Sequence, residues 1–126
     1  MKWVAFLATI LAANAAMAQA PSRLEAREAA ERYLRKQLAS GACAEHYHFV
    51  RIVAVEVAPD PVDDLYPATV AFEVGLLATD DTGLRQACIP GKPVVAPRGQ
   101  RGLREYAAVL RLSRGVGTAQ VQTASN

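Results

Sequence analysis

The sequence predicts an α+β fold in which one N-terminal amphipathic helix packs on a four-stranded antiparallel sheet. Three observations predict it. One stretch, Pro21 to Gly41, carries apolar residues at helical spacing. After it the apolar period changes to two. Turn-forming runs, "PDPVDD" and "TDDTG", separate the alternating segments.

The first residues, "MKWVAFLATILAANAAMAQA", precede that fold. Lys2 gives a positive start, Trp3 to Ala13 form a short uncharged apolar run, and Ala16-Met17-Ala18 supplies the small-x-small pattern of a signal peptidase site. Residues 1–18 therefore read as a signal peptide cleaved before Gln19, and the protein as periplasmic or secreted. The apolar run is shorter than the roughly 20 residues that span a bilayer. No transmembrane anchor is expected once it is removed.

The helix follows. Ser22 with Glu25 makes a capping box, and Gly41 stands where a left-handed stop belongs. Ala26, Ala30, Tyr33, Leu34, Gln37 and Leu38 share one side, and the alanines allow close approach to a sheet. "HYHFVRIVAVEVAP" is β-rich, and on a strand His46, His48, Val50, Ile52, Ala54 and Glu56 take one face and Tyr47, Phe49, Arg51, Val53 and Val55 the other. In "YPATVAFEVGLLATD" Ala68, Val70, Phe72, Val74 and Leu76 line the buried face. A short strand is expected over Leu84–Ile89. In "LREYAAVLRLS" Tyr106, Ala108, Leu110 and Leu112 share a face. "GTAQVQTA" offers a weaker fifth strand within a tail, 115–126, whose end "TASN" reads as frayed. Residues 19–114 then form one domain with one core.

A helix followed by a meander resembles the layout of cystatin-like α+β folds, a resemblance of layout alone. "VVAPRG" lacks the glutamine-valine-glycine loop of cystatin protease inhibitors, so inhibition is not carried over.

Charge is segregated along the chain. Gly41–Leu84 carries eight carboxylates against Arg51 alone, and Arg85–Asn126 carries seven cations against Glu105 alone. The cysteines, Cys43 and Cys88, are an even pair in an exported chain, so a disulfide is expected and a catalytic thiol is not. No G-x-S-x-G elbow or phosphate-binding glycine loop is present. The acidic clusters Asp60, Asp63, Asp64 and Asp80, Asp81 sit at turns, where Asp bonds to nearby backbone, and match no EF-hand spacing.

Two binding features remain. "IPGKPVVAPRGQRG", from Ile89 to Gly102, brings Lys92, Arg98, Arg101 and Arg104 to or beside an irregular connection, which suits carboxylate or phosphate groups. His46 and His48 form an H-x-H pair able to place two imidazoles on one metal ion, but a metal site wants a third protein ligand. The functional expectation is an exported binding or accessory module without catalytic activity or cofactor. It would contact a protein or an anionic envelope component, and not nucleic acid. A periplasmic metal-binding protein using His46 and His48 is the alternative.

Overall fold

Ser22 starts the long helix by a reciprocal exchange. Its Oγ accepts from the Glu25 backbone N–H at 3.0 Å, while the Glu25 carboxylate accepts from the Ser22 N–H at 2.9 Å, so two donors that a helix start would orphan are satisfied. The structure is a computed structural model that describes residues 19–78, 82–94, 102–115 and 118–124. The signal-peptide reading of residues 1–18 lies outside them.

The helix, α1, runs Arg23–Leu38 and buries Ala26, Ala29, Ala30, Leu34 and Leu38. Three of these are alanines, which let the backbone come near the sheet with little side-chain bulk between. Gly41 takes φ +52° just beyond the Ala39 C-cap, a left-handed position that glycine occupies at low cost.

The chain continues through α2 (Cys43–His46), β1 (Tyr47–Val57), β2 (Tyr66–Leu76), α3 (Thr82–Cys88), β3 (Lys92–Pro93), β4 (Leu103–Arg114) and β5 (Ala119–Ala124). Among the described residues the strands form one five-stranded antiparallel sheet, ordered β1-β2-β4, with β3 and β5 both pairing β4. The α+β layout of one helix on an antiparallel sheet is therefore present, and "GTAQVQTA" does supply the fifth strand. α1 packs on β1 and β5. Arg32 donates to the Ala119 carbonyl at 3.2 Å, which ties β5 to the helix, and Arg114, at the end of β4, pairs with Glu25 at 3.1 Å.

The buried face of β2 is Ala68, Val70, Phe72 and Val74, and that of β4 is Tyr106, Ala108, Leu110 and Leu112. Both match the alternation in the sequence. The core also holds Tyr47, Phe49, Ile52 and Val55 of β1. "PVDDL" closes the β1–β2 connection with a tight turn. Asp63 (φ 52°) and Asp64 (φ 65°) are both left-handed, and Val62 and Leu65 exchange N–H···O bonds of 2.8 and 3.0 Å. That is the mirror-image turn whose twist suits a hairpin, and Asp tolerates its backbone. Asp80 and Asp81 lie outside the described residues.

Three expectations need correction. β1 does not alternate uninterruptedly, because register shifts fall between Phe49 and Arg51 and between Ile52 and Ala54. Each bulge adds a residue and switches the face, so Ile52 joins Tyr47, Phe49 and Val55 in the core. Second, His46 is not on the strand; it ends α2. Third, the expected strand Leu84–Ile89 is helical over Thr82–Cys88. Leu84, Arg85, Gln86 and Ala87 are strong helix formers, and the Ile89 N–H donates to the Arg85 carbonyl at 2.8 Å.

Candidate anion-binding pocket

Cys43 and Cys88 are joined, with their Cα atoms 5.7 Å apart, so the disulfide expected from the cysteine count is present. It bonds α2 to α3. Such a bond is compatible with an oxidising, extracytoplasmic compartment. Cys88 and Ile89 are buried, which seats the end of α3 in the core and leaves Arg85 and Gln86 beside the chain that follows.

That following chain is "PGKP". Gly91 has φ +85°, and a Cβ built there would collide with the carbonyl of Ala107 and with the Ala108 side chain. Only glycine lets the turn come this close to β4. The close approach delivers β3 into register, with Lys92 opposite Ala107 and Pro93 opposite Tyr106, and the Val94 N–H donates to the Glu105 carbonyl at 2.9 Å.

Between α3 and β3 lies a cavity of about 310 Å³ lined by Arg85, Gln86, Ile89, Gly91, Lys92, Pro93 and Tyr106. Its described lining holds two cations and no carboxylate. Ile89, Pro93 and the Tyr106 ring form an apolar side. Tyr106 is 2% exposed, and its ring lies 6.0 Å, centroid to centroid, from that of Phe72 in a stacked arrangement, so it is fixed. A cationic rim on rigid walls can hold an anion with little ordering cost.

Of the four basic residues singled out in the sequence, the structure brings Lys92 to this pocket. Arg104 is exposed on β4 and donates to the Leu103 carbonyl at 2.9 Å. Arg98 and Arg101 lie outside the described residues. Arg85, Gln86 and Tyr106 were not singled out as site residues. The usable signal was "PGKP", a glycine between prolines immediately after a cysteine-bearing segment rich in helix formers.

The two histidines stand on different elements. His46 ends α2 with its Nδ1 buried and without a hydrogen-bond partner, while its carbonyl accepts from the Leu77 N–H at 2.8 Å. His48 is exposed on β1, its imidazole laid against Gly75, where any Cβ would collide with the ring. Among the described residues no group of three or more His, Cys, Asp and Glu side chains is arranged to hold a metal ion. A second cleft, of about 360 Å³, runs past Arg35, Leu38, Tyr47 and Phe49, with the Arg35 guanidinium 4.9 Å from the centre of the Phe49 ring.

No protein-family model, curated protein or solved structure matches the chain. No helix among the described residues is long and apolar enough to cross a membrane.

Proposed function

We propose that the protein is an exported binding module without catalytic activity that holds an anionic group of a partner or envelope component between α3 and β3. The observation that carries this reading is that Arg85 and Lys92 line one cavity. An arginine fork and a lysine ammonium are complementary to carboxylate or phosphate oxygens. The reading narrows the expected basic surface from the whole Ile89–Gly102 connection to its first residues. Titrating isotope-labelled protein with inorganic phosphate or acetate at low salt tests it. The amide resonances of Gln86, Gly91 and Lys92 should move, and the movement should weaken as salt screens the cations. Shifts absent from those amides overturn the reading.

Metal binding is the second reading, and the buried, unpartnered Nδ1 of His46 favours it. Native mass spectrometry with added Zn²⁺ or Cu²⁺ decides it. Stoichiometric metal that is lost in His46→Ala supports this reading, and metal-free protein rejects it.

A further inference from the structure

We propose that the protein pairs with a second copy of itself, face to face, through the side of the sheet turned away from α1. This surface is separate from the pocket between α3 and β3, and the proposal does not depend on the anion-binding reading. Thr69 and Ala71 of β2 alternate with Val70 and Phe72 of the core, and Ala107 and Val109 of β4 alternate with Ala108 and Leu110. These four therefore stand together on the outer side. Register makes them neighbours, with Thr69 opposite Val109 and Ala71 opposite Ala107. Thr69 is exposed and the other three are partly so. Because all four side chains are small, a second sheet can approach this patch to the roughly 10 Å at which sheets stack.

Charge decides which second sheet fits. On β4 the patch lies between Glu105 and Arg111, both partly exposed on the same side. Six residues of strand hold them about 20 Å apart, too far to neutralise each other. Among the described residues neither has an ion pair. Glu105 stands directly opposite Glu73, a like-charge pairing that is unfavourable across strands. Arg111 stands opposite Pro67 and Thr123, with no acid across from it. Each end of the patch thus lacks a counter-charge, and the two ends have opposite signs. A twofold axis lying between two such sheets and crossing β4 near Ala108 supplies both at once. Ala107 then meets Val109 of the second copy, and Glu105 meets Arg111 of the second copy, each twice by symmetry. The roughly 30° at which aligned sheets pack leaves the charges within reach of the long arginine side chain. An unrelated partner would need the same spacing of acid, patch and cation in reverse, which a second copy carries by construction. The patch, about 20 by 15 Å, is smaller than the roughly 800 Å² that each partner buries in a stable interface. The dimer therefore dissociates on dilution.

Sedimentation of the purified, disulfide-bonded protein between about 10 μM and about 1 mM at low salt tests the proposal. The mean mass should rise from monomer toward dimer across that range. Glu105→Arg and Arg111→Glu should each weaken self-association about tenfold or more, because each places like charges together at both symmetric contacts. Mixed with each other, the two variants should associate as the parent does, and so should the protein carrying both reversals. Circular dichroism shows whether each variant is folded. A measurement that needs no variant accompanies these: on dilution of isotope-labelled parent, the amide resonances of Ala71, Ala107 and Val109 should move more than those of Gln86, Gly91 and Lys92 at the pocket. A protein that is monomeric throughout the range overturns the proposal. So does a dimer that folded charge-reversed variants form as well as the parent, a mixture of folded variants that associates no better than either alone, or dilution shifts confined to other amides.

Discussion

The consequence of a single atom is clearest at the glycines. Gly41 and Gly91 both have positive φ, but a Cβ at Gly41 meets nothing within 4 Å, whereas one at Gly91 meets the backbone of Ala107. Gly41→Ala should therefore cost only the left-handed backbone penalty of about 1–2 kcal/mol. Gly91→Ala should cost more and disturb β3, because a backbone carbonyl cannot rotate aside as a side chain can. Urea midpoints of the two variants check this, and equal shifts would contradict it. Phe72 and Glu73 make a second pair of neighbours with opposite fates. Phe72 is 0% exposed on the covered face, so Phe72→Ala should destabilise by about 3–5 kcal/mol. Glu73 pairs with Arg51 on the other face, and Glu73→Ala should cost under about 1 kcal/mol, as exposed pairs do. Comparable midpoint shifts in these variants would mean that the β2 register is wrong.

Among the elements, α1 carries a pH signature. The Ser22 backbone N–H, and after it the Arg114 side chain, hold the Glu25 carboxyl below the usual carboxylate range. A carboxyl with a lowered folded pKa contributes stability that is present above its unfolded pKa and lost as pH falls through the folded value. Glu25→Gln should thus reduce stability at neutral pH and flatten its decline toward about pH 3, the acid side of the ordinary glutamate range. Denaturant midpoints across that interval measure it, and a parallel decline in parent and variant would refute it. Ser22→Ala removes the other half of the box and should cost about 1 kcal/mol. Both residues could be read from the sequence because a capping box is local chemistry. The buried faces of β2 and β4 were equally legible, since an unbroken alternation admits one register. β1 was not: bulges depend on which partner strand pairs with it, and "HFVRIVAV" contains no residue that marks them. α3 failed for a different reason. Seven residues make only about two turns, too short for a period to declare itself. Individual propensities were the only clue. The pocket carries the second limit: Lys92 belongs to a connection whose basic character is legible, whereas Arg85 sits on the two-turn helix.

At the scale of the whole molecule, the disulfide spans a sequence separation of 45. Closing a loop of that length restricts the unfolded chain by about 4 kcal/mol in the chain-entropy account. Replacing both Cys43 and Cys88 by serine should lower unfolding free energy by up to that amount. It should also release α3, so that affinity for inorganic phosphate falls even under conditions where circular dichroism still reports a folded sheet. Retained affinity in that variant would mean that α3 is seated by other contacts. The sheet's two margins carry another consequence. On one side the long strand β4 is bordered by two short pieces, β3 and β5, and on the other β1 is broken by bulges. A second molecule therefore finds no long straight ladder on which to extend the sheet. In strands as rich in valine, alanine and leucine as these, such interrupted margins remove the flat edge on which fibres seed.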